Sequence, residues 1–456
     1  MSRAISLNTR RIAFLVSVWA LSGPVGCSNN GVSPGGNPPT GNQPPEVTFT
    51  FAPRAVVRSN PTDRRHVTLT VTVTDPDEDP VTVHWAVTRN GQPSGVLNAA
   101  QQGQPSIQWE TPTQTGTDTI TVTASDGKDG GATTLTETVE VGTLKDTRIE
   151  TVPETWNAAD SPFIIRPIED DFVIDERMML TVEAGSELLI DRVGMVISVV
   201  GTLEADGTAE RPVIIRPNTR ATEPGAWEGI TANPSGLPPV VRLTHTHVLY
   251  ATAAVQSNTT AEVYLDGCLI ARSSDAAVLH SSSGPLVVKN SSITNNVNSG
   301  IKIHKLAKPL PTMVEISGDT IAWNGDLTGK TPYVDQAAVY ISLPDSLATS
   351  AITLNGNDIY FNGVPGIQLV GACFPIMNYN TIYANELGKT GTRYNIKLDN
   401  GFAGAHDTID ATSNYWGGAY PPATGEALIK EMIRDSEDSG TIKVRVLVTP
   451  WLDVEP

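Results

Sequence analysis

The chain runs to 456 residues and carries 31 basic against 49 acidic side chains, a formal net charge of −18. A surface this acidic repels nucleic acid and anionic membrane and, at long range, polyanionic glycans such as pectin or alginate unless a cation mediates. Nucleic acid is therefore excluded as a partner, and cysteine, with three copies, is scarce.

Residues 1–26 hold Arg3, Arg10 and Arg11, an apolar run over 12–21 and no acidic residue. This is the pattern of a secretory signal, too short to remain as a membrane span. Gly26 before Cys27 resembles a bacterial lipobox, with Pro24 standing where leucine is usual. The resemblance implies that Cys27 is lipidated and, with Ser28 beside it, that the chain is anchored at the outer membrane or cell surface. The alternative is an ordinary secreted protein cut nearby. Without the three leader arginines, 28 basic residues face 49 acidic ones, or −21. Residues 27–45 are rich in Gly, Pro, Asn and Ser and read as a flexible tether.

Over 46–142 the pattern changes to alternation, at 67–73, 81–85 and 119–124, between turn-rich joints. Strands at this spacing predict a β-sandwich. The acidic stretch 75–80 and the later run 122–127 resemble the immunoglobulin-like modules of PKD and cadherin-like type, which implies a spacer. Asp75, Asp77 and Asp79 alternate as a Ca²⁺ loop does, but Pro80 and Ala86 stand where an EF-hand needs glycine and glutamate. No other cofactor is expected.

From 143 to 418 the chain reads as stacked coils. The stretches at 155–156, 163–165, 180–185, 201–207 and 226–230 follow at coil intervals, and then one sentence repeats. Val248, Ile270, Ile293, Ile321, Ile359 and Ile382 recur at steps of 22, 23, 28, 38 and 23 residues, and similarity at such periods means stacked units. Upstream of them run the columns Val263, Leu286, Val314, Ile352 and Leu265, Val288, Ile316, Leu354, Met377. A third short strand follows each, as at Val278, Ile301, Val339, Ile367 and Ile396. Asn296, Asn324, Asn362 and Asn385 stand three places after the isoleucines and predict a turn ladder, because Asn tolerates the left-handed conformation and its amide bonds to the next coil. The fold class expected is all-β: a parallel β-helix with three strands per coil behind an immunoglobulin-like sandwich. The order of coils resembles the right-handed β-helix proteins of the pectin-lyase-like superfamily, a likeness that implies fold and leaves activity open.

The segment 419–456, after the run Asn414, Tyr415, Trp416, Gly417, shows a helical pattern at Leu428, Ile429, Met432 and Ile433 and then a strand over 442–448. It is expected to cap the solenoid, since an open end templates aggregation. Cys268 and Cys373 fall about four coils apart, roughly 20 Å, beyond disulfide reach, which predicts two buried free thiols.

Chemistry is harder to place. Asp266, Asp319 and Asp358 occupy different register positions, so no carboxylate column forms; His280 reads as a core histidine; His406, Asp407 and Asp410 read as an exposed turn rather than a metal site. One surface attracts a binding reading. Tyr360 and Tyr383 point outward one place after their isoleucines, and Lys302, Tyr340, Gln368 and Lys397 form another outward column, with long insertions after Asn324 and Asn385 between them. Rings flanked by amides and ammonium groups suit stacking on sugars. Two functions follow: a non-catalytic, monomeric envelope lipoprotein that binds a polysaccharide, cell-surface glycan or other surface partner, touching membrane only through its lipid; or, alternatively, a polysaccharide lyase or glycoside hydrolase assembled from loops.

Overall fold

The computed structural model describes residues 41–456 apart from 52, 221, 305–310, 328–334, 344–351, 400–401, 403–405, 419 and 422. The leader, Cys27 and most of the tether lie outside the described residues. Among the described residues no helix is long and apolar enough to cross a membrane.

The first module is a sandwich whose alternation matches its burial. In His66–Thr74 and Thr82–Arg89 the threonines face out while Leu69, Val71, Val83, Trp85 and Val87 face in. Trp85 and Trp109 fill the core, and each indole N–H finds a carbonyl, Gln104 O at 2.9 Å and Ser94 O at 3.0 Å. That satisfies the polar handle that a buried tryptophan carries. Arg89 reaches the fully buried Asp118 at 2.6 Å.

Residues 154–398 wind into nine coils of three strands, and every strand pairs in parallel with its equivalent one coil on. The first sheet runs from Glu154–Trp156 to Ile376–Asn378, the second from Phe163–Ile165 to Thr381–Tyr383, the third from Phe172–Ile174 to Ile396–Leu398. Val248, Ile270, Ile293, Ile321, Ile359 and Ile382 lie in one internal file on the second sheet, each fully buried. Both expected columns of the first sheet form in register as well.

Two polar ladders turn the corners. At the corner after the second sheet, Asn296 Nδ2 donates to Asn324 Oδ1 at 2.8 Å, Asn324 to Asn362 at 3.1 Å and Asn362 to Asn385 at 2.9 Å. The ladder stands, but the conformational reason given for it does not. The left-handed residue is the one before each asparagine: Arg272 before Ser273, then Asn295, Trp323, Phe361 and Ala384, with φ between +51° and +61°. The asparagines are selected for their amides, which satisfy backbone across coils where water cannot reach. A second ladder, at the corner between first and second sheets, comprises Ser291, Asp319, Asn357, Asn380 and Asn414, each rung accepting from the backbone N–H of the rung before it.

The module and the solenoid share a sheet. The strand Ala132–Lys145 pairs antiparallel with Gly116–Ser125 inside the sandwich, and its end, Thr143 to Lys145, pairs in parallel with Phe163 to Ile165 of the first coil. The boundary expected at 142/143 therefore falls within one continuous strand. Ala55, Val57, Ile164 and Leu189 pack together across the junction, and the Asn218 amide brackets Ala55, accepting from its N–H at 2.8 Å and donating to its carbonyl at 3.0 Å. Beneath this, Trp156 stacks on Phe163 at 4.9 Å with Lys145 Nζ 4.5 Å above the indole, closing the first coil. The sandwich thus caps the first coil of the solenoid.

At the other end Trp416 is buried, Ile433–Arg434 extends the third sheet, and Tyr415 bridges Thr381 and Leu452. The helix is shorter than expected, Gly425–Lys430, and Ile433 belongs to the capping strand. Arg445–Leu447 pairs with Thr408–Asp410 to complete the lid.

Candidate functional site

Tyr360 and Tyr383 pair in register on the outer face of the second sheet, their rings 5.4 Å apart and 21° from parallel. Two further rings join them. Phe361 lies 5.1 Å from Tyr360 and 5.5 Å from Tyr383, edge-on to both, and Trp323 lies 5.1 Å from Phe361. Both newcomers occupy the left-handed turn position, at φ +60° for Trp323 and +55° for Phe361. For a bulky side chain that conformation costs about 1–2 kcal/mol, and strain of this kind concentrates at ligand-binding surfaces. The signal was available: the residue before each ladder asparagine must leave the strand, and in two successive coils that residue is aromatic.

The four rings use most of their faces on one another. Trp323, at 42 % exposure, presents the open surface, while Tyr360 and Tyr383 are half-buried. Burial first, and then Asp358 and Glu455, raise the Tyr360 phenol; burial and Glu455 lead for Tyr383. The patch is thus aromatic with an acidic border.

The other outward column forms as registered: Lys302 beside Tyr340, Tyr340 beside Gln368, Gln368 beside Lys397. It is not an open surface. Tyr340 is 1 % exposed and Gln368 3 %, and every residue of Val339–Leu343 is buried. The Tyr340 hydroxyl donates to Asp335 Oδ1 at 3.1 Å, and burial pushes the phenol up to about 12. Alternation put these side chains outside the coil, yet Tyr340 and Gln368 are buried there. Lys302 Nζ sits 5.2 Å over the Tyr340 ring, and burial lowers the half-buried Lys397 ammonium. The insertion after Asn385 closes on itself: Glu386 is buried, pairs with Lys389 at 2.7 Å and accepts from Tyr394 N at 2.6 Å.

The carboxylates are scattered. Asp266 lies on the outer face of the first sheet, Asp319 in a corner ladder and Asp358 on the second sheet. Glu204, Glu262 and Glu315 also face out from the first sheet, engaged by Arg242 at 3.7 Å, the Tyr264 hydroxyl at 3.0 Å and Lys289 at 3.0 Å. His280 is fully buried with Nδ1 2.7 Å from the Ser257 hydroxyl. Cys268 and Cys373 are buried free thiols, each pushed up to about 12 by burial.

Asp75, Asp77 and Asp79 converge, with ligand oxygens within 4.8 Å of one another. Asp75 Oδ1 accepts from the backbone N–H of Asp77 at 2.9 Å and of Asp79 at 3.1 Å, and Lys128 already pairs with Asp79. An ammonium group thus borders the acidic cluster on its Asp79 side. His406, Asp407 and Asp410 do not converge as ligands; His406 packs on Phe374 and Asp410 is held by Thr412 and Asn378.

Comparison with known proteins agrees with this architecture. Neither a curated protein nor a solved structure matches the chain significantly. Residues 42–141 match the family described as bacterial Ig domain, and residues 251–415 the family described as right handed beta helix region. The chain therefore has the fold of an immunoglobulin-like sandwich, similar to the bacterial Ig domain, joined through a shared strand to a right-handed parallel β-helix.

Proposed function

We propose that this protein is a non-catalytic, lipid-anchored component of the bacterial envelope, tethered through Cys27, whose β-helix binds neutral carbohydrate on the patch of Trp323, Phe361, Tyr360 and Tyr383. The observation that carries the reading is the exposed Trp323 ring, held in a strained turn and backed by three packed rings. A rigid apolar face with polar groups at its edge suits a sugar ring. The acidic border and the net charge of −18 favour uncharged sugars over uronates or sulfated chains.

The test is binding of the tagged chain without its leader to a panel of neutral and acidic polysaccharides, with and without calcium, while chain length and unsaturated products are followed. A neutral glycan should bind without turnover and lose about tenfold or more in affinity on Trp323→Ala, the loss of one well-packed aromatic contact. Depolymerisation abolished by Glu204→Gln, Glu262→Gln or Glu315→Gln would replace this reading with a lyase or hydrolase.

A further inference from the structure

Where the sandwich meets the first coil lies a cleft of about 520 Å³, within the range of small-molecule sites and at the kind of domain junction that favours them. Its wall includes Val57, Arg58 and Asn60 from the segment after Ala55–Val57, and Leu144 and Asp146 from the end of the shared strand and just beyond it. The cleft is preformed. Arg58 N donates to Gly142 O at 2.9 Å and Ser59 N to Pro112 O at 3.0 Å, and the buried Ser59 hydroxyl lies 3.2 Å from that of Thr111.

Its charges are only loosely met. Many of the described arginines are tied to carboxylates by hydrogen bonds, as Arg65 on the same wall is tied to Asp63. The Arg58 guanidinium has only Asp160, at 3.9 Å, too far for a hydrogen bond. The Asp146 carboxylate makes no hydrogen bond or ion pair among the described residues, although it lines the same cleft. A guanidinium and a carboxylate that share a cavity without pairing ask for a ligand with one group for each.

We propose that the cleft binds a small zwitterion of the α-amino acid type, its carboxylate on Arg58, its ammonium on Asp146 and its side chain against Val57 and Leu144. Arginine presents the planar fork that carboxylates accept, and a ligand with no net charge escapes the repulsion that the acidic surface imposes on anions. The site is independent of the aromatic patch, which lies on the last three coils at the other end of the solenoid.

The chain without its leader is tested by thermal shift and calorimetry against the twenty common amino acids at millimolar concentration, each beside its amide and its N-acetyl derivative. At least one free amino acid should raise the unfolding temperature while its two blocked forms do not. Arg58→Ala and Asp146→Asn should each weaken that binding about 10- to 100-fold, the loss of a charged hydrogen bond, leaving the ligand-free unfolding temperature unchanged, and Trp323→Ala should leave it intact. The proposal fails if no free amino acid binds, or if the amide and the N-acetyl form bind as well as the parent.

Discussion

Replacing Asp319 by asparagine should stabilise this protein, and by an amount that grows with pH. In the ladder that Asp319 shares with Asn357, Asn380 and Asn414, each asparagine Nδ2 donates to a carbonyl of the preceding coil: Asn357 to Ile316 O, Asn380 to Leu354 O, both at 2.9 Å, and Asn414 to Met377 O at 2.6 Å. Asp319 has an oxygen in that place, and its Oδ2 is buried without a hydrogen-bond partner. Burial outweighs the N–H bonds from Ser291 and Ser317 and raises the carboxyl from 3.8 to about 7. A folded-state value above the unfolded one means the contribution is complete below pH 4 and is lost as pH climbs through 7. A shift of about three units corresponds to on the order of 4 kcal/mol by pH 8. Asparagine supplies the missing donor and does not titrate. The difference between Asp319→Asn and wild type in denaturant midpoint should therefore be small at pH 4 and widen steadily to pH 8, with titrations elsewhere cancelling in the comparison. A gap that does not change with pH, or a variant less stable than wild type at pH 8, would refute the reasoning.

Asn324→Ala in the other ladder removes the acceptor of both Asn296 N and Asn296 Nδ2. At about 1–3 kcal/mol for each buried group left unpaired, a lowered urea midpoint is expected, while Val297→Ala at the exposed side of the turn should cost far less. Deleting residues 41–145 strips the partner strand from Phe163–Ile165 and uncovers Ile164 and Leu189; light scattering should show aggregation of the remaining solenoid, because a naked parallel edge recruits other chains. Glu140 lies in the same junction, and burial, followed by the nearby Glu187, raises it to about 7. Its share of stability is present below its unfolded value and lost as pH passes 7, so Glu140→Gln should flatten the decline in unfolding temperature between pH 6 and pH 8.

Periodicity made the solenoid legible because stacking is a one-dimensional problem: Ile293, Ile321 and Ile359 must align if each coil repeats the one before, so spacing alone predicts contact. The second ladder was harder to see, since its column mixes Ser291, Asp319 and three asparagines, residues united by a role as acceptors rather than by identity. The junction was hidden for a different reason. Nothing in 132–145 distinguishes a strand that pairs within one module from a strand that serves two, because hydrogen bonding by the backbone leaves no side-chain signature. Tyr340 and Gln368 were misplaced for a third: the period-two rule says which way a side chain points from its own sheet and nothing about what later folds across it.

Because the sandwich continues into the solenoid through hydrogen-bonded strands, with no hinge between them, the molecule behaves as a ruler. Nine turns at about 4.8 Å set a length of roughly 40 Å, and the aromatic rings ride on the last three of those turns, farthest from the sandwich. Evolution can lengthen or shorten such a boom in increments of one turn by duplicating or dropping a repeat, changing how far from the sandwich its tip lies while leaving the tip itself untouched.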